Sequence, residues 1–357
     1  GMKYGVKPAM VLHFRSAKVA EVHNEYINAL GDLYVGRRQL ALTKDEAENL
    51  SVTDCAEIYR LFTWFHTNVM KNETEEEKAA NKKKENAFGA LLCKKLLEAD
   101  SIYCVYNKRT GEPHLFSKTI AQEDGNYLCT PPEIMLLTKA YKQYLAVYYP
   151  EDQFEIREIA NGEDKKGIFN FLGSAIYLSG VCGVRVLSEH TAIAAPMLVP
   201  APDYSKLRPQ DVPVTNPDLV RWMLLIGQMG EPDTEDKEMI YKLYYKFLSK
   251  ELVKAKLLIP MKKEGELGEP DENGKITLKK DAQIMFPTMD GKKEKEAVYM
   301  YTDWKRLRTV YGEEWEGLVQ TVEGMIKPFD CVINVSEYTA AGCYISEEMF
   351  EDMKRFS

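Results

Sequence analysis

Val184-Arg185-Val186-Leu187-Ser188-Glu189-His190-Thr191-Ala192 and Val332-Ile333-Asn334-Val335-Ser336-Glu337-Tyr338-Thr339-Ala340 read as two versions of one segment. Each runs a β-branched, apolar stretch into Ser-Glu-x-Thr-Ala, a strand pattern that closes in small polar residues. Upstream, the matches keep the same order. Ile134-Met135-Leu136-Leu137-Thr138 pairs with Val298-Tyr299-Met300-Tyr301-Thr302, and each stretch enters a short helix, from Tyr141 and from Trp304. Earlier still, an amphipathic helix ending in Ala99 or Ala255 switches directly to a strand, Ile102 to Tyr106 or Leu257 to Met261. Val52-Thr53-Asp54 and Val214-Thr215-Asn216 open the first helix of each copy with a capping residue, and Pro217 takes the first helical position. Pro260 cannot donate to a ladder, which places it at an edge or a bulge. Several elements repeated in one order predict a duplicated unit.

The expected fold is therefore α/β: a mixed sheet with packed helices in each of two similar units, plus an N-terminal helical segment. Residues 1–50 form that extension, with Val19, Val22, Tyr26, Ile27, Leu30 and Leu33 at helical spacing. Unit 1 spans 51–195 and unit 2 spans 214–357. The stretch 196–213 between them holds five of the 16 prolines and reads as an extended linker.

The second copy resembles the SseB family, named for enhanced serine sensitivity, in its N-terminal-type domain. The residues that carry the likeness are Asn216, Pro217 and Leu219, the strand Ala255 to Pro260, Tyr301-Thr302-Asp303-Trp304, and Cys331 to Val335. The first copy joins only through the repeat, and it departs at Thr138-Lys139, at Val186 in place of Asn334, and at Asp54-Cys55. The resemblance implies an α/β domain often found in tandem or fused form in bacteria, with no established enzymatic activity or cofactor.

The 357 residues carry 47 Lys and Arg against 55 Asp and Glu, a net charge of −8. Such a chain has no general attraction for phosphate backbones, which disfavours nucleic acid as a partner. No window approaches the ~18 uninterrupted apolar residues of a membrane span. Seven cysteines (Cys55, Cys93, Cys104, Cys129, Cys182, Cys331, Cys343) are scattered, as reduced core thiols would be. A cytoplasmic protein is the expectation.

Chemistry is sparse. There is no glycine-rich phosphate loop, no closely spaced Cys or His pair for a metal, and no nucleophile elbow. Ser188-Glu189-His190 invites a catalytic reading. In a strand, however, Ser188 and His190 share a face and Glu189 takes the other, so these three alone cannot form a relay. The second copy also puts Tyr338 in place of His190. Cys182 beside Arg185 could be an activated thiolate, but its apolar neighbours favour a buried thiol. Trp315 among Glu313, Glu314 and Glu316 would suit a basic partner surface, although half-buried packing is the simpler role.

The expectation is a non-enzymatic binding or regulatory protein that acts through protein–protein contacts, with no cofactor and no metal. Its surface would be the groove between the copies and the strand ends at Ser188, Glu189, His190, Thr191, Ser336, Glu337, Tyr338 and Thr339, with Trp315 added. The alternatives are an enzyme with a cryptic cleft site using Cys182 or His190, and an amino-acid sensor, which only the family's phenotype name suggests.

Overall fold

A computed structural model describes residues 17–35, 43–68, 73–123, 126–188, 191–265, 267–270, 276–278, 283–291, 294–335 and 340–356. It begins with α1 (Ala17–Leu30), a π-helical turn over Gly31–Val35, and α2 (Lys44–Asn49). The first half continues through α3 (Val52–Asn68), α4 (Glu75–Glu98) and β1 (Ser101–Asn107). A small hairpin of β2 (Thr119–Ala121) and β3 (Tyr127–Cys129) leads to β4 (Glu133–Leu137), α5 (Lys139–Leu145) and β5 (Phe154–Ala160). Then come α6 (Gly167–Tyr177), β6 (Gly183–Val186), β7 (Ala192–Ala194) and α7 (Ala195–Leu198).

The second half opens with α8 (Pro217–Met229), α9 (Glu235–Lys254) and β8 (Leu257–Glu264). The excursion that follows holds β9 (Leu267–Pro270), β10 (Ile276–Leu278), β11 (Gln283–Met285) and β12 (Thr288–Asp290). The half then runs β13 (Glu296–Met300), α10 (Trp304–Val310), β14 (Glu316–Gln320) and α11 (Val322–Met325). It closes with β15 (Asp330–Ile333), β16 (Cys343–Ile345) and α12 (Glu347–Met353). The fold is a mixed α/β fold.

Four strands in each half follow one order, β1-β4-β6-β7 and β8-β13-β15-β16. The first has the order β5-β1-β4-β6-β7, with β4 and β6 parallel and β1–β4 and β6–β7 antiparallel. The second has β11-β8-β14 and β12-β13-β15-β16, with β13 and β15 parallel and an isolated antiparallel bridge, Leu258 to Tyr301, linking the two parts. The register agrees as well: Tyr103 faces Leu137 in the first half where Leu258 faces Tyr301 in the second.

Two expectations are corrected here. Pro260 is at neither an edge nor a bulge. It lies in β8, opposite Gly317 of β14, with the bridge to β13 on the other side. Leu258 exchanges backbone hydrogen bonds with Tyr301, so Pro260, two residues on, turns the same side toward β13. The next pair would need an N–H that proline lacks, and from Lys262 onward β8 pairs with β11 instead. The second correction is a one-residue slip in the repeat. Leu187 N donates to Leu136 O and Asn334 N donates to Met300 O, the matching carbonyl. Asn334 therefore stands where Leu187 stands, not Val186. Both have left-handed backbone, at φ 65° and 51°. Asparagine adopts that conformation readily, whereas leucine meets a cost of about 1–2 kcal/mol.

Local chemistry sets the helix starts. Ser51 caps α3, and Asp54 reaches back to the Ser51 N–H as the far side of a capping box, so Asp54 is not itself the cap. Thr74 and Glu77 form the same box at α4, whose first turn carries Glu75, Glu76 and Glu77. Asn216 occupies the cap position of α8, but its amide donates instead to Lys256 O and Thr302 O. In α1, Ile27 and Leu30 are buried as expected and Tyr26 donates to Asp54. The π turn shifts the register, so Val35 is buried and Leu33 exposed.

The chain forms two compact units that do not follow a single cut at the prolines. One contains Gly1–Tyr106, Glu133–Gly173 and Cys182–Pro200; the other contains Asn107–Pro132, Ser174–Val181 and Ala201–Ser357. In the second unit Leu219, Leu252, Val298, Met300, Ile333 and Phe350 are among the residues of the core. The segment 107–132 is bound there by polar contacts: the Gln228 amide bonds both backbone groups of Leu115, and Thr119 meets the Tyr244 hydroxyl.

Candidate functional site

Strand β6 ends at Val186, so Ser188 lies in a turn rather than on a strand face. Ser188 and Thr191 are buried, with their hydroxyls 3.1 Å apart, and Thr191 N donates to Ser188 O. They close the β6–β7 connection and present nothing to a partner. Glu189, His190, Ser336, Glu337, Tyr338 and Thr339 lie outside the described residues. Trp315 is half-buried, with Tyr311 against it at 4.9 Å and the Lys262 ammonium 4.6 Å over its ring. A cation of this chain therefore already sits on the surface expected to meet a basic partner. Cys182 is half-buried just before β6. The Arg185 guanidinium beside it in sequence donates to Glu133 at 2.5 Å.

Thr302, Asp303 and Asn334 are bonded to one another. The Asn334 amide accepts from Thr302 N and donates to the Thr302 hydroxyl, which in turn donates to Asp303. Asp303 caps α10 through Arg306 N and takes the Arg306 guanidinium at 2.6 Å. The same guanidinium reaches Glu112 and the Ser179 hydroxyl, both at 2.9 Å. Asp303 and Thr302 are almost fully buried, and each has partners. Such a satisfied network holds backbone segments in place. Arg306, Glu112 and Ser179 had no signal in the sequence beyond the spacing of Asp303 and Arg306.

At the opposite end of β15 and β16 from the Ser336–Thr339 connection lies a cleft of about 570 Å³. Asp330, buried at the start of β15, forms its floor, and Ser346, Glu347, Glu348, Met349 and Glu351 of the α12 region form one wall. Ser346 caps α12 by accepting from Met349 N, which fixes that wall. Lys295 stands on the other side. Its ammonium donates to Ile326 O at 2.7 Å and to Glu347 at 3.2 Å, and it lies 3.6 Å from Asp330. Tyr344 also donates to Asp330. Four carboxylates thus line the cleft, two of them, Asp330 and Glu347, beside Lys295, while Glu351 is bonded to Lys354. The four carboxylates outnumber the two lysines beside them, and the Met349 thioether adds an apolar surface to the lining.

Burial pushes the thiols up: Cys55 and Cys331 to about 12, Cys93 to about 11. At Cys331 the Asp330 carboxylate adds to the effect. These thiols stay protonated at neutral pH. Burial also lowers His114 to about 4. Among the described residues, no helix is long and apolar enough to cross a membrane, and no group of three or more His, Cys, Asp or Glu side chains is placed to hold a metal ion. The chain matches no family model, no curated protein and no solved structure.

Proposed function

We propose that this is a cytoplasmic binding protein of the SseB type that acts on a protein partner, and that its second unit takes a basic side chain of that partner into the Asp330 cleft. The cleft's carboxylate-rich lining is the observation that carries the reading. The net charge of −8 supports it by steering basic surfaces toward the chain. The buried hydroxyls of Ser188 and Thr191 move the expected contact from that turn to the other end of the equivalent strands in the second half. Fluorescence anisotropy with Lys/Arg-rich and acidic peptides tests the reading. Basic peptides should bind, weaken as salt rises, and lose at least tenfold in affinity on Glu348→Lys with Glu351→Lys. Equal binding of both peptide classes, or binding indifferent to the charge reversal, would sink it.

A second reading draws on the size of the cleft, which falls in the range of small-ligand sites, about 300–1,000 Å³. On that reading the protein senses an amino acid. A thermal-shift panel decides, since a ligand at 100 times its dissociation constant stabilises by about 2.7 kcal/mol.

A further inference from the structure

Strand β14 has β8 on one side, and among the described residues no strand pairs with its other side. The bridge beyond β8 reveals which of its backbone groups point outward. Leu258 gives both its backbone bonds to Tyr301, at 2.8 Å each, so Leu257, Ile259 and Met261 turn theirs toward β14. Their partners there are Gln320, Leu318 and Glu316. Gly317 and Val319 therefore direct N–H and C=O away from the sheet.

Sheet edges are ordinarily blunted by charge, proline, bulges or brevity. The matching edge β5 carries Glu155, Arg157 and Glu158, and the opposite edges β7 and β16 have three residues each. β14 has five residues, and its two outward positions are a glycine and a valine. Val319 is 45% exposed. The space over Gly317 is filled from within, since a Cβ there would lie 2.6 Å from the Trp304 ring.

The geometry points to a second copy of this chain as the occupant of that edge, with the two β14 strands paired antiparallel about a two-fold axis at Leu318. That axis sets Gly317 opposite Val319 of the partner subunit, and the reverse, so outward-facing residues meet outward-facing residues. Each pair exchanges both backbone bonds, four in all, and the two sheets become one. Glu316 meets Gln320 of the partner subunit, so no like charges oppose each other. Moving the axis to Gly317 would call on Trp315, whose N–H donates to Gly312 and whose carbonyl accepts from Arg308. The sequence Glu316-Gly317-Leu318-Val319-Gln320 is thus self-complementary about Leu318.

Analytical ultracentrifugation of the full chain from about 1 to 200 μM tests the assignment. The wild type should move from monomer to twice the monomer mass. Val319→Lys, which keeps the backbone and adds charge, should weaken association at least tenfold with an unchanged circular dichroism spectrum. Hydrogen exchange gives an independent readout. The amides of Gly317 and Val319 should gain protection as concentration rises, while those of Leu318 stay constant. A wild type that remains monomeric throughout, or a dimer indifferent to Val319→Lys with both amides unprotected, overturns the proposal. Protection that appears only on adding a foreign extended peptide overturns it in favour of that occupant.

Discussion

Replacing Arg306 by leucine keeps most of the aliphatic volume and removes four side-chain hydrogen bonds, to Asp303, Glu112, Ser179 and Leu178 O. Asp303 is 1% exposed and keeps only its bonds from the Thr302 hydroxyl and Arg306 N. Breaking a buried pair costs about 3–5 kcal/mol, because the remaining charge is uncompensated. The Glu112 side chain is 27% exposed and can regain water, which places the expected loss near the lower end, about 3 kcal/mol. For a unit of this size that lowers the melting temperature by roughly 6–12 °C. Tryptophan fluorescence is the suitable probe, since three of the four tryptophans (Trp222, Trp304 and Trp315, against Trp64) lie in the second unit. Asp303→Asn added to Arg306→Leu removes the stranded charge and should recover about 1–2 kcal/mol. A single variant that loses less than about 1 kcal/mol, or a double variant no more stable than the single, would refute the reasoning.

Burial holds His114 at about 4, below its ordinary value of 6.5, so the unfolded chain binds the extra proton between those pH values. Stability from this group is complete above pH 6.5 and is lost as pH falls toward 4, by about 3 kcal/mol; His114→Gln should remove that slope from urea-unfolding midpoints, and an unchanged slope counts against the assignment. Asn334→Ala loses two hydrogen bonds to Thr302 and a residue suited to φ 51°. It should cost about 2–4 kcal/mol by thermal unfolding. Pro260→Val restores the missing N–H, and hydrogen exchange should find the new amide at 260 protected by Tyr299; a freely exchanging amide would show that something other than proline divides the sheet.

The signals legible in the sequence are local: caps, helix spacing and runs of β-branched residues recur in both halves, and the strand orders β1-β4-β6-β7 and β8-β13-β15-β16 correspond. Backbone conformation was not legible. Nothing in Leu187 announces a left-handed φ, so the sequence pattern runs the strand on through Ser188, although β6 ends at Val186. Pro260 reads as an edge residue by rule; its true place required knowing which side of β8 its absent N–H faces. The candidate cleft joins Lys295, Asp330 and the start of α12, which are far apart in sequence. Only the acidic pair Glu347-Glu348 behind Ser346 had a local signature, and that signature indicates a helix start rather than a site. Arg306 and Glu112 are 194 residues apart and carry no pattern that could link them.

The two halves share a four-strand order but not its exposed features, and the differences run in one direction. The first half keeps a continuous five-stranded ladder, a charged outer strand, and a buried set in which Tyr141 and Arg60 both donate to Glu57. These features favour a closed, self-satisfied unit. The second half has the sheet divided at Pro260, the outer strand β14 with Glu316 as its single charge, and the carboxylate-lined cleft below β15. If binding had been retained equally by both copies, matching features should recur at β5 and at the start of β6. They do not: β5 is charged, and at the position of Asp330 the first half has Gly183, whose Cβ would meet Ile193 O at 3.0 Å. That position has no room for a carboxylate. The features on which the proposed recognition rests therefore belong to the second half alone.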